Sequence, residues 1–199
     1  MKRSFTRRSV GRKSFRIVGP AQLLVEAENV DAACDLAVGV PAELARVLTT
    51  VLTDGDLASA SPRAVWNLLW LAGELSTMVD VFRATALLTA VERVFIRHFA
   101  LVLHQRDELT DAAEMAFDFF FNRADQPLAS LHVPTTIASL ATILLLDNRF
   151  CRRAALHGLG HLRQHTPVPH HPAIDALLTS VTDPTLTPYA SQALSGTLL

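Results

Sequence analysis

From residue 31 onward, hydrophobic positions along the chain recur at helical rather than strand spacing. Pro41 stands where a first-turn proline belongs, and Leu44, Val47, Leu48, Val51 and Leu52 follow at offsets of 0, 3, 4, 7 and 8. Asp54-Gly55 is a stop signal for that helix. Ser61-Pro62 reads as the N-cap and first position of the next. Its Val65, Trp66, Leu68, Leu69 and Trp70 are apolar nearly all round, the pattern of a helix buried at the centre. Trp66 and Trp70, four residues apart, are expected in the core.

Residues 78–105 form a long helical stretch with a polar stripe at Thr85, Thr89, Glu92, Arg93, Arg97 and His104; it is one helix, or two with a kink. Segment 110–123 carries Asp111, Glu114, Asp118, Asn122 and Asp125 on one side and Met115, Phe117, Phe119, Phe120 and Phe121 on the other. A solvated acidic stripe over an aromatic core face is the expected arrangement. Helices then follow from about Pro134 to Leu146 and from Arg149 to His165, with Asn148 as cap. After a Pro/His loop come Ile174, Leu177, Leu178 and Val181 at helical spacing, and Thr187-Pro188 opens a last helix. Residues 17–30 fit a short strand or irregular chain. The expected class is all-α with about eight helices on short connections.

Composition agrees. The 199 residues are 50% hydrophobic and 19% charged, with only 8 glycines. A mean hydropathy of +0.27 suits a globular core but neither disorder nor a multi-span membrane protein. The longest uncharged run, Gln126 to Leu146, is broken by His132 and Pro134, and its helical part is too short to span a bilayer. Cys34 and Cys151 lie far apart, without the spacing of a disulfide framework or a zinc knuckle. A reducing, cytoplasmic setting is expected.

Charge changes the picture. The net of −1 conceals an asymmetry, because Lys2, Arg3, Arg7, Arg8, Arg12, Lys13 and Arg16 all precede the first acidic residue, Glu26. Of the 18 basic residues these seven sit in the arm, leaving 11 against 19 acidic residues, a net of −8 for the remainder. We therefore divide the chain into a basic N-terminal arm, residues 1–16, and a single α-helical domain, 17–199. An acidic body lacks the broad positive surface that duplex DNA requires.

Asp147-Asn148-Arg149-Phe150-Cys151-Arg152-Arg153-Ala154-Ala155-Leu156-His157-Gly158-Leu159-Gly160-His161-Leu162 resembles the second half of a HEAT-like repeat. Asp147 falls at the turn, Phe150 and Arg152 at the start of the second helix, and Ala155, Leu159 and Leu162 on its apolar positions. Thr135–Leu146 would be the first helix of the pair. The resemblance is clear over about residues 135–164. It implies a short, irregular HEAT-like α-solenoid, a fold used mainly for binding other macromolecules. Without a fixed period elsewhere, a compact multi-helix bundle is the competing architecture.

On a helical wheel Cys151, Ala155, Gly158, Leu159 and Leu162 share one face, while Arg149, Arg152, Arg153, Arg163 and Gln164 lie opposite. Gly158 on the apolar face allows a neighbouring helix to approach; Gly160 on the polar face has no such reason. His157 and His161, four residues apart, form a geometrically valid pair for one metal ion. The glutamate of a HExxH hydrolase is missing, since Gly158 follows His157, and His165 drifts too far round to be a third ligand. His132 or Asp147 are the candidates to complete such a site. The reading adopted is that both histidines edge the polar face and bond to neighbours or water, with a metal site the alternative.

No nucleophile elbow or phosphate-binding loop is present, and Cys151 falls on the buried face. No catalytic residue and no cofactor are assigned. The expected function is a non-catalytic helical binding module, an adaptor, regulator or inhibitor of another protein. Its candidate partner face is Arg149, Arg153, His157, His161 and Gln164. One alternative is association with nucleic acid through the basic arm; another is a metal-binding protein or enzyme centred on His157 and His161.

Overall fold

A computed structural model of the chain describes Gly19, Leu23, Ala27, Glu28 and residues 40–105, 107–121, 133–165 and 171–197. The basic arm lies outside the described residues. All the secondary structure described is helical, in agreement with the sequence pattern.

The start and stop signals act where the sequence places them. Helix α1, Pro41–Asp54, opens on its proline and buries Leu44, Val47, Leu48, Val51 and Leu52. Helix α2, Pro62–Ser76, is capped by Ser61, whose Oγ accepts the Ala64 N–H at 3.1 Å. Leu68, Leu69, Leu71, Ala72 and Leu75 are fully buried; Trp66 and Trp70 are half-buried and pack on the same core. Helix α3, Val81–Val94, starts at Asp80, whose carboxylate accepts the N–H groups of Phe82 and Arg83. It runs on through a π-helical turn at Phe95–Phe99 and a closing turn at Ala100–Val102. The long stretch is therefore continuous, and its irregularity is a widened turn that buries Phe95, His98 and Phe99.

Segment 110–123 departs from the expected single helix. Helix α4, Glu108–Met115, begins in a reciprocal capping box between Asp107 and Thr110. Helix α5, Asp118–Phe121, follows after a break at Ala116–Phe117. There the Ala116 N–H reaches the Ala113 carbonyl and the Phe120 N–H the Phe117 carbonyl, three residues back instead of four. Tightening to that register resets the angle of everything after it.

Helix α6, Val133–Leu144, turns into helix α7, Arg149–His165. Asn148 caps α7 by accepting the N–H groups of Phe150 and Cys151. Its amide also donates to the carbonyls of Ala100 and Leu103, which ties the start of α7 to the end of the α3 rod. Helix α8, Pro172–Thr179, and helix α9, Thr187–Ser195, complete the chain. Gly196 ends α9 in the left-handed conformation, φ 73°.

Helix α1 packs on α3 and α2; α2 also meets α4 and α5; α7 is covered by α6, α4, α5 and α9. The α4–α5 segment is thus wedged between α2 and α7. Gly73 of α2 permits this, because a Cβ there would lie 2.3 Å from the Phe119 carbonyl oxygen. Phe117 stacks on Phe95 and Phe119 meets the edge of Trp66, so neighbouring phenylalanines pack against different helices.

Of the described positions from Gly19 to Ala27, Leu23 is helical, not extended. The Leu23 N–H donates to the Gly19 carbonyl and the Ala27 N–H to the Leu23 carbonyl, four residues apart each time. The buried Asn67 amide donates to the Ala27 carbonyl at 2.7 Å and holds Ala27 against α2. No helix among the described residues is long and apolar enough to cross a membrane.

Candidate polar site between α5, α7 and α9

The solvated acidic stripe is the expectation that needs correction. Asp111 is exposed, but Glu114 and Asp118 are buried, Asp118 to 3% exposure. Both face α7, because α4 and α5 are enclosed between two layers rather than lying on the surface. Asn122 and Asp125 lie outside the described residues.

Asp118 meets both histidines of α7. Its Oδ2 is 3.1 Å from Nε2 of His157 and 3.7 Å from Nε2 of His161. On a 17-residue helix the i, i+4 spacing brings the two rings together, tilted by 52° with 4.6 Å between centroids. His157 is 6% exposed, so it is an interior residue and does not edge a solvated face. Its second nitrogen, Nδ1, shares a 2.7 Å hydrogen bond with the Tyr189 hydroxyl of α9. Asp118, His157 and Tyr189 therefore form a chain of polar contacts from α5 through α7 to α9. Asp118 Oδ1 is buried without a hydrogen-bond partner among the described residues.

Charge surrounds this chain. Arg153 places its guanidinium 4.8 Å over the Tyr189 ring and its Nε 3.0 Å from Oε1 of Glu114. That N–H is not aimed at the oxygen, so the contact is ionic. Burial, helped by the Glu114 and Asp118 carboxylates, pushes the Tyr189 phenol above its ordinary range, against the opposing pull of Arg153. The phenol is thus held as a neutral O–H group at neutral pH.

The candidate partner face is mostly spoken for within the fold. Arg149 is exposed and lies over the neighbouring Phe150 ring. Arg153, His157 and His161 join the cluster, and the exposed Gln164 donates to the Gly196 carbonyl at 3.3 Å. Arg152 pairs with Asp183 at 3.4 Å and Arg163 with Asp175 at 2.9 Å. Arg152 thus pairs with a carboxylate of the loop between α8 and α9, and Arg163 with one of α8, so neither adds to a free basic row. Of the two residues suggested to complete a metal site, Asp147 is exposed outside the cluster, and His132 lies outside the described residues. The side chain of His165 is also outside them.

Asp118, like Glu114 and His157, is interior where the sequence pattern implies a solvated edge. Its one signal is the face shared with Glu114, which fits a solvated stripe equally well. Cys151 fits its expected core role: burial raises its thiol to about 12, so it is no nucleophile at neutral pH.

A second surface stands apart from this cluster. Phe82, at the start of α3, is 83% exposed, with Met78 and Val81 beside it. It borders a groove of about 730 Å³ between α1 and α3. Glu43 and Arg46 form an ion pair on one wall, and Asp80 and Arg83 form another. No known family model matches the chain, and comparison with curated proteins and solved structures gives no match either.

Proposed function

We propose that the chain is a non-catalytic helical binding module that acts by holding another protein. The observation that carries this reading is Phe82. An aromatic ring 83% exposed, at the mouth of a groove framed by two ion pairs, has the form of a protein-binding hot spot with a polar rim. The site therefore moves from the α7 face, where the side chains are engaged internally, to the α1–α3 face. Two further features support a binding role. Helices α6 and α7 pack as one hairpin and α8 and α9 as the next, with α7 lying along α9, an arrangement in keeping with HEAT-like stacking. The one cysteine among the described residues, Cys151, is buried in the core, and burial pushes its thiol up.

The test is affinity capture from the source cells with the full chain, its Phe82→Asp variant and its Arg46→Glu variant. We expect a protein recovered in stoichiometric amount with the wild type and lost with Phe82→Asp, while circular dichroism stays unchanged. Recovery of the same proteins by wild type and both variants overturns the reading, as does the absence of any stoichiometric partner.

A further inference from the structure

The interior cluster makes no use of the α1–α3 groove, and its geometry has its own consequence. We propose that Asp118, His157 and His161 form a binding site for one divalent transition-metal ion of the zinc type, with His157 and His161 binding through Nε2 and Asp118 through its carboxylate.

The separations fit that role. Zinc bonds of about 2.0–2.1 Å in a tetrahedron set neighbouring ligand atoms about 3.4 Å apart. The two nitrogens stand 3.1 and 3.7 Å from the same carboxylate oxygen, and one ligand atom from each residue lies within 4.8 Å of the other two. At 3.7 Å the Asp118–His161 contact is longer than a hydrogen bond and has the length of a charge contact.

Asp118 supplies an independent observation. A carboxylate 3% exposed whose Oδ1 lacks a hydrogen-bond partner among the described residues is expensive to bury, because its lost hydration is only partly replaced. A dication at the cluster compensates that carboxylate directly. The contact from Tyr189 completes the case. When Nδ1–H of His157 donates to the Tyr189 hydroxyl, Nε2 presents its lone pair to the cluster, the outer hydrogen bond that orients metal-bound histidines. Two histidines on one helix and a carboxylate from the next element need little rearrangement to close on an ion. Imidazole and carboxylate donors suit zinc, cobalt or nickel better than magnesium or calcium. The His161 side chain, 15% exposed, marks the side from which an ion enters.

The experiment uses the full chain, stripped with chelator and titrated with zinc alone by calorimetry. Cobalt absorption is the second readout, because tetrahedral Co²⁺ gives intense visible bands that loosely bound ions lack. We expect one zinc per chain, a raised thermal midpoint, and tetrahedral cobalt bands. His161→Gln, at the most accessible ligand, and Asp118→Asn should each weaken zinc binding at least about tenfold. His171→Gln, outside the cluster, should leave it unchanged. Zinc affinity that survives His161→Gln but falls with His171→Gln overturns the proposal. So does a wild-type chain without stoichiometric zinc binding or tetrahedral cobalt bands. Circular dichroism of each variant separates lost ligation from lost fold. If His161→Gln does not fold, the wild-type stoichiometry and cobalt spectrum decide.

Discussion

Asp118 and His157 are 39 positions apart in the chain, yet their side chains meet at 3.1 Å in the interior. The contact fastens the short α5 helix to the middle of α7, and Tyr189 extends it to α9. Removing one member leaves the others buried without their partner, which costs more than the pair itself contributes. We expect His157→Leu to destabilise the chain by about 1.5–3 kcal/mol, since it strands a buried carboxylate. Asp118→Asn keeps an acceptor for Nε2 and should cost less. Urea unfolding midpoints of the two variants check the order; equal values would show that the contact carries no load.

Two tightly packed glycines inside helices, Gly73 and Gly158, give a second comparison. Alanine in place of glycine favours a helix interior by about 1 kcal/mol. At Gly73, however, the new Cβ would sit 2.3 Å from the Phe119 carbonyl oxygen and 2.6 Å from the Phe119 Cβ, so α2 and α5 must separate. At Gly158 the nearest atom is Leu140 Cδ2 at 2.8 Å, the end of a side chain that can rotate away. We expect Gly73→Ala to cost about 1–3 kcal/mol net and Gly158→Ala distinctly less. Thermal unfolding of both proteins tests the ranking.

Asn148 holds two elements at once. Its Oδ1 caps α7, and its amide donates to the carbonyls of Ala100 and Leu103. Asn148→Ala removes both functions and should destabilise by at least the roughly 0.5–2 kcal/mol of a lost cap. Asn148→Asp retains the cap but turns a carboxylate toward two carbonyl oxygens, so it should not restore full stability. If Asn148→Asp matches the wild type in denaturant, the tie to α3 is energetically silent.

Buried leucines calibrate the core. Leu159 is fully buried, and Leu159→Ala should cost about 2–5 kcal/mol. Wheel position alone gives Leu177 the same expectation, but Leu177 is only partly buried beside the core. Leu177→Ala should therefore cost clearly less than Leu159→Ala. Equal losses would place Leu177 in the interior after all.

What the sequence makes legible here is local. Pro41, Ser61-Pro62, Asp54-Gly55 and Asn148 each act on the three or four residues beside them, and each works as the pattern implies. The solvated reading of Glu114 and Asp118 fails because a helical wheel shows a shared face without showing what covers it. The break at Ala116–Phe117 was equally hidden, because i→i−3 bonds there answer to packing against α2 and α7 rather than to any glycine or proline. The histidine pair was visible as i, i+4 spacing, but its third member comes from another helix. A 39-residue loop closure leaves no periodic trace.

The basic arm separates the protein-binding reading from its nucleic-acid alternative. Seven cations among residues 1–16, with Phe5 and Phe15 among their few apolar neighbours, make a composition with too little apolar surface to offset the entropy of ordering. Deleting residues 1–16 should therefore leave the thermal midpoint nearly unchanged. The rest of the chain, at a net of −8, repels phosphate, and Arg152, Arg153 and Arg163 are paired with carboxylates. Any affinity for nucleic acid must then reside in the arm. Binding through it would release counterions, so affinity would fall with salt at a log–log slope of several units. We expect the full chain to show no such binding to duplex DNA or RNA in retardation assays at moderate salt. We also expect the arm deletion to weaken capture of the protein partner. Retardation that disappears with the arm and falls steeply with salt would transfer the function to nucleic acid. A large drop in thermal midpoint on deletion would instead make the arm part of the folded body.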